Sequence, residues 1–185
     1  MIIGIVGGIG TGKSSVVDRL REQHEYSEVS IAASLKAQCA IMFPTVPREA
    51  FFGTQVEKAT LRQDLGGVSG RTVLEETAAH FRRYDPDVWV RRSVGAAISD
   101  SQHAEQSIKI AVPDVRYPNE VALIKKMGGV IVRTHVLGEN PPRTGHDSDN
   151  FWPHFEYDFG IVAGRGDMIM LRAQVDEMAE QLGAR

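Results

Sequence analysis

Gly7-Gly-Ile-Gly-Thr-Gly-Lys-Ser14 carries the spacing G-x-x-x-x-G-K-[ST], and its flanks decide how the chain is read. Met1-Ile-Ile-Gly-Ile-Val6 reads as a short buried strand, and Ser14-Ser-Val-Val-Asp-Arg-Leu-Arg21 as an amphipathic helix. The loop therefore sits between strand and helix, as a phosphate-binding P-loop requires. Glycines let the backbone bend until successive N–H groups point inward and cradle phosphate oxygens. The helix N-terminus adds positive partial charge. Gly8, Gly10, Thr11, Gly12, Lys13, Ser14 and Ser15 are accordingly the expected ATP-binding residues. The Lys13 ammonium is placed to reach the β- and γ-phosphates and to act in catalysis, and the Ser14 hydroxyl to ligate Mg²⁺. The bland alternative is a glycine-rich turn followed by a chance Lys-Ser, and the flanking strand and helix argue against it. The same glycines do not spell G-x-G-x-x-G, which disfavours a dinucleotide-binding Rossmann reading.

The 185 residues are read as one domain, 1–185, large enough for its own core. An apolar content of 42% and a charged content of 24% are ordinary for a soluble globular protein. A net charge of −3 supplies no field toward nucleic acid or anionic membrane, so neither is an expected partner. The single cysteine, Cys39, rules out an intrachain disulfide framework and fits a reducing cytosol, so a cytoplasmic protein is expected. The first residues already read as strand and loop, so no signal peptide is expected. No apolar run approaches the ~20 residues of a membrane-spanning helix. The basic residues are 15 Arg against 6 Lys. Arg is the better bidentate partner for phosphate, but genomic base composition explains such a bias equally well, and only position separates the two.

Along the chain, strands are expected at Tyr26–Ile31, Ser107–Pro113, Val130–Val136 and Phe159–Ala163. Helices are expected at Ala32–Phe43, Arg71–Arg83, from Asp85-Pro86 to about Asp100, at Tyr117–Met127, and from Asp167 to about Leu182. Residues 44–70 are glycine-rich and read as an irregular, mobile flap, and 138–155 as a polar loop. Alternating strands and helices argue an α/β architecture with a five-stranded, mostly parallel sheet. Ligands of such sheets bind beyond the C-terminal strand edges, where the loop, Asp114 with Arg116, and the 138–155 loop all converge. Read as strand residues, 114 and 116 point the same way.

The chain lacks the Asn-Lys-x-Asp guanine-reading stretch of switch GTPases, and Val115 rather than Glu follows Asp114. Small-molecule kinases remain. A phosphate acceptor is already ionised and needs arginines rather than a base. Asp114 suits an indirect Mg²⁺ ligand and Arg116 a grip on the acceptor phosphate; a structural ion pair between the two is the bland alternative.

With these residues in view, the chain resembles the phage deoxynucleoside monophosphate kinases and their P-loop relatives. The resemblance runs over Ala33-Ser-Leu-Lys36, over Arg71-x-x-Leu74-Glu75 through Asp85-Pro-Asp-Val-Trp-Val90, over Asp114-Val-Arg-Tyr-Pro-Asn-Glu120, and over His146-Asp-Ser-Asp149. It implies a three-layer P-loop kinase fold with a helical monophosphate-binding flap, about 36–90, and a short lid, about 138–155. It implies transfer of the ATP γ-phosphate, with Mg²⁺, to a deoxynucleoside 5′-monophosphate for DNA precursor synthesis, in the host cytoplasm if phage-encoded. Lys36, Arg71, Glu75, Trp89, Asp114 and Arg116 then fall on the acceptor side. Arg143 becomes the lid arginine that meets the transferring phosphoryl group, and a homodimer is implied. Glu75, Asp149 and Ala163 depart from the family's Gln, Glu and Asn. Bland readings stand beside these: Trp89 as core, Lys36 as a solvated helix residue, Arg82-Arg83 and Arg91-Arg92 as surface charge, and His146 and His154 as too few for zinc. A kinase of another small acceptor, such as phosphomevalonate or dephospho-coenzyme A, shares these features, as does a non-kinase ATP-binding module.

Overall fold

The computed structural model describes residues 1–103, 107–140 and 150–183, in two compact units. The first comprises Met1–Ser30 with Val94–Arg185, and the second Ile31–Ser93. The first is built on β1 (Ile2–Val6), which is buried at all five positions because it lies in the middle of a parallel sheet covered on both faces. Its companions are β2 (Ser27–Glu28), β5 (Ile110–Val112), β6 (Val130–Val136) and β7 (Phe159–Ala163), in the spatial order β2-β5-β1-β6-β7. All four pairings are parallel, so the mostly parallel sheet expected from the sequence is parallel throughout.

Helices form a layer on each face. Val16, Val17 and Leu20 of α1 (Lys13–His24) share one apolar cluster with Leu171, Val175, Met178 and Leu182 of α9 (Met168–Gly183). That cluster includes Ile3, Ile5, Val132, Ile161 and Ala163 from alternate strand positions. On the opposite face, Ile124 of α8 (Pro118–Lys126) and Val115 press against Gly4 beside Ile131. The remaining helix of this unit is α7 (Ala96–His103). The α/β, three-layer fold with a five-stranded sheet is the one the sequence led us to expect.

Several local expectations are corrected. The second strand is only Ser27–Glu28, because the chain turns into α2 (Ile31–Met42) at Ile31. The third strand ends at Val112, since Pro113 has no N–H to continue the ladder. Asp114 and Arg116 therefore lie in the turn beyond β5, and strand alternation does not set their directions. Residues 44–70 are not irregular. They form α3 (Glu49–Phe52), α4 (Gln55–Ala59) and the antiparallel hairpin of β3 (Leu61–Arg62) and β4 (Val68–Ser69). A reciprocal Thr54–Glu57 capping box opens α4, and the Ser69 hydroxyl caps α5 (Gly70–Arg82). The helix expected from Asp85-Pro86 starts later, as α6 (Val88–Val90), after the Asp85 carboxylate accepts the Asp87 N–H. It widens at once into a π-helical turn, Arg91–Gly95. In the second unit, Ser93 Oγ reaches Ser34 Oγ at 2.8 Å and donates to the Ile31 carbonyl, tying the unit's last residue to its first helix.

The α1–α9 pair is clamped by Asp176, which accepts Arg19 Nε at 2.8 Å and pairs with His24 Nε2 at 2.8 Å. The Arg19 hydrogen bond, with His24 adding, pulls the Asp176 carboxyl down to about 2. A carboxyl lowered from an ordinary value near ~3.9 contributes stability above that pH and loses it as pH falls toward 2. Asp176→Asn is expected to lower the urea midpoint at pH 7 and to flatten the loss between pH 4 and pH 2. Chemical unfolding across that range checks it. The effect should be modest because the pair is partly solvated.

Candidate functional site

The glycine-rich loop leaves β1 and closes onto α1. Gly7 adopts φ 149° with Thr134 Oγ1 of β6 packed against it, only 2.4 Å from where a Cβ would stand. Gly12 forms the N-cap of α1 at φ 89°, a left-handed conformation that suits glycine. The buried Thr11 hydroxyl donates to the Gly8 carbonyl and sits 2.7 Å from Thr134 Oγ1, which reaches the Val6 carbonyl. Thr11 thus ties the loop to itself and to β6 through its side chain. Gly10 and Ser14 are exposed, and Ser15 is half-buried.

Lys13 curls into this loop and donates to the carbonyls of Gly7 at 2.7 Å and Gly8 at 2.6 Å. Burial, with the nearby Arg116 guanidinium adding repulsion, lowers the Lys13 ammonium to about 8. The Lys13–Arg116 proximity follows from topology. β1 and β5 are neighbours, and their connections leave on opposite faces through α1 and α8. That is the switch point at which parallel sheets open a crevice. The Asp114 carboxylate stands there and accepts the Ser30 hydroxyl at 2.7 Å. The turn is held by Glu120, itself only 2% exposed, whose Oε2 accepts the backbone N–H groups of Arg116 and Tyr117. The Arg116 side chain is exposed.

Lys13, Asp114 and Arg116 are thus brought together with the loop. Glu120 and Thr134 were not singled out as site residues, though both left a signal. Pro118 and Glu120 occupy the first and third positions of α8, a helix-start pattern. Thr134 is a lone hydroxyl on the core face of an apolar strand.

The expected acceptor residues of the second unit are dispersed. Arg71 donates to the Gln55 side-chain and backbone oxygens, Glu75 is exposed, and Lys36 is half-buried on α2. Trp89 is 5% exposed, donates Nε1 to the Ala78 carbonyl at 3.3 Å, and meets Phe81 edge-on. It belongs to the core, and one edge also lines a groove of about 390 Å³ with Ser34, Gln38, Ile41, Phe81 and Arg92. Lys36, Arg71 and Glu75 do not line it. Arg143, His146 and Asp149 lie outside the described residues.

For a magnesium ion the donor chemistry fits. Mg²⁺ takes oxygen ligands, usually one or two carboxylates plus substrate phosphates and water. The exposed Ser14 hydroxyl and the Asp114 carboxylate are of that kind. Among the described residues no group of three or more His, Cys, Asp or Glu forms an all-protein metal cage. Nor is any described helix long and apolar enough to cross a membrane.

No family model matches the chain. A mimivirus protein (Acanthamoeba polyphaga mimivirus), provisionally named a deoxynucleotide monophosphate kinase, is 25% identical over 154 residues, 72% of each chain. Among solved structures, TT1252 from Thermus thermophilus superposes over 97% of both chains with a TM-score of 0.49 and 15% identity. The likeness to the mimivirus protein supports a kinase-type activity.

Two outcomes test the loop. Thr134→Val keeps the shape and removes both hydroxyl contacts. It should cost about 1–2 kcal/mol in urea unfolding and speed amide exchange across residues 7–12. The lowered Lys13 predicts proton uptake on binding a polyanion. Below pH 8 Lys13 is already charged. Between about pH 8 and the ordinary lysine value it is largely neutral when free, and pyrophosphate should recharge it. Calorimetry at pH 9 in two buffers of different ionisation enthalpy should show the uptake, and Lys13→Met should abolish it.

Proposed function

We propose that this chain is an ATP-dependent kinase that transfers a γ-phosphoryl group to a deoxynucleoside 5′-monophosphate, giving the diphosphate for DNA precursor synthesis. The observation that carries the reading is the closeness of Lys13 and Arg116 at the exit edge of β1 and β5, on a loop shaped by Gly7 and Gly12. Burial and the Arg116 charge both disfavour the Lys13 ammonium, and an anion beside it relieves them; a donor and an acceptor phosphate supply one anion for each of the two cations. The name of the mimivirus relative points to the same acceptor.

In this reading the loop N–H groups, from Gly8 to Ser15, and the N-terminus of α1 hold the donor phosphates. Lys13 reaches the β- and γ-oxygens, and Arg116 grips the acceptor phosphate. An acceptor phosphate oxygen attacks the γ-phosphorus as the bond to the ADP oxygen breaks, in line. The acceptor is already ionised, so no side chain has to remove a proton. Ser14 and Asp114 would hold Mg²⁺, which would offset the charge on the donor phosphates. Lys36, Arg71, Glu75 and Trp89 belong to the acceptor-binding region, about 36–90. Arg143 belongs to a lid over 138–155. A host cytoplasm, a phage origin and a homodimer complete the proposal.

The test is ADP release from Mg-ATP across deoxy- and ribonucleoside monophosphates against a blank without acceptor. Stimulation by one or a few deoxynucleotides supports the reading. Lys13→Met and Arg116→Ala should each lower turnover by roughly 10³-fold, with unchanged circular dichroism. A flat panel with ATP still bound overturns the acceptor and leaves a kinase of another small molecule or an ATP-binding module.

A further inference from the structure

On the α8 side of the sheet, Arg133 and His135 of β6 stand opposite Gly160 and Val162 of β7 in register. Alternate residues of these strands face the α1–α9 core, so these four face the other way. Together with Tyr157 they line a concavity of about 250 Å³. The Arg133 guanidinium is held there by rings, 5.7 Å from the centre of Trp152 and 5.5 Å from that of Tyr157. Its Nη1 also donates to the Pro153 carbonyl at 3.4 Å. Among the described residues no carboxylate lines the concavity. The His135 imidazole and the Tyr157 hydroxyl form no hydrogen bond or ion pair among the described residues. By contrast, Arg19, Arg62, Arg91 and Arg165 each pair with a carboxylate.

We propose that this concavity is a second anion site, which takes one phosphoryl-sized oxyanion on Arg133, His135 and Tyr157. It shares no lining residue with the Gly7–Ser14 loop or with Asp114 and Arg116, and it does not rest on the kinase reading. Three residues with donor groups line one concavity, and the guanidinium fork suits two oxygens of one anion. The flanking rings position Arg133 without neutralising it, as a carboxylate would. The volume falls below the roughly 300–1,000 Å³ of sites that enclose a whole drug-sized ligand, so the part bound is a single group. Gly160 keeps the space open. A Cβ there would meet only Tyr157 Cε2, at an ordinary 3.5 Å, so a β-branched residue fits the strand and fills the concavity.

Free phosphate and the phosphoryl group of a nucleotide share this chemistry. The test follows the ¹⁵N-labelled indoles of Trp152 and Trp89 in the full chain, titrated with inorganic phosphate against sodium chloride of equal ionic strength. The Trp152 signal should shift and saturate while Trp89 stays, and the shift should persist in Lys13→Met. Gly160→Val should abolish it, and Arg133→Gln should weaken phosphate binding about tenfold or more. Amide spectra of both variants establish that they fold, and either one alone decides the matter. A Trp152 signal that phosphate does not move beyond chloride, or one that moves equally in the folded variants, overturns the proposal. Parallel titrations with ATP and deoxynucleoside monophosphates identify the source. Tighter binding than phosphate marks a nucleotide, and equal or weaker binding marks the free anion.

Discussion

Parallel pairing sends every strand of a sheet out at the same edge, and the candidate site depends on that constraint. β1 is buried along its whole length between β5 and β6, so the loop after it and the turn after β5 emerge side by side. Roughly a hundred residues separate Gly7 from Asp114 in the chain, and the sheet supplies the proximity that sequence does not. The connections through α1 and α8 leave on opposite faces and open the crevice between them. Two buried polar side chains then fix the backbone there. Thr134 holds the loop through Thr11 and Val6, and Glu120 holds the turn through two N–H groups. A buried polar group without partners costs more than its bond returns, so each constrains the backbone beside it strongly.

Within that frame Lys13 is the costly residue. Its ammonium is drawn out of water, has two carbonyls as partners among the described residues, and feels Arg116. Nothing about sheet or helix formation needs a lysine at this place. The arrangement is what a site for polyanions requires. Donors are already aimed, the like charges are already assembled, and their repulsion is released when an anion arrives.

The elements legible in the sequence are those whose signals are local. β1, β6 and β7 are apolar runs of the right length, and α1, α8 and α9 carry their start and stop residues in view, down to Asp167 accepting the Met170 N–H at the head of α9. The loop spacing gave Lys13 and the Gly7–Ser14 geometry. What escaped was set by tertiary or very short-range chemistry. The glycines of 44–70 read as irregular, yet Thr54 with Glu57 and the Leu61–Ser69 hairpin build regular elements there over a few residues each. Asp114 and Arg116 read by strand alternation as facing the same way, but the strand stops at Val112, before Pro113, and the two residues lie in the turn beyond it. Trp89 lies both in the core and at the edge of a groove, a distinction that depends on how α5 and α6 meet. Thr134 and Glu120 matter only through partners far along the chain or buried beneath it.

The arginine excess posed a question that composition could not answer, and position divides it. Arg19, Arg21, Arg62, Arg91 and Arg165 each face an aspartate or glutamate, so their charge is used within the protein's own surface. Arg116, Arg92 and Arg133 are placed otherwise. The first stands beside Lys13 at the crevice, the second lines the groove of the second unit, and the third lies between two rings at the β6–β7 concavity. None of the three has a carboxylate partner among the described residues. Arg48 and Arg172 also show no carboxylate partner among the described residues, yet line neither concavity, so a missing partner does not by itself mark a site. Position has to be added to it: a guanidinium already matched to an acid has little left to offer a phosphate, and one that is unmatched can use its fork only where an anion has room to sit beside it. Arg116, Arg92 and Arg133 meet both conditions, while the bulk of the excess fits base composition.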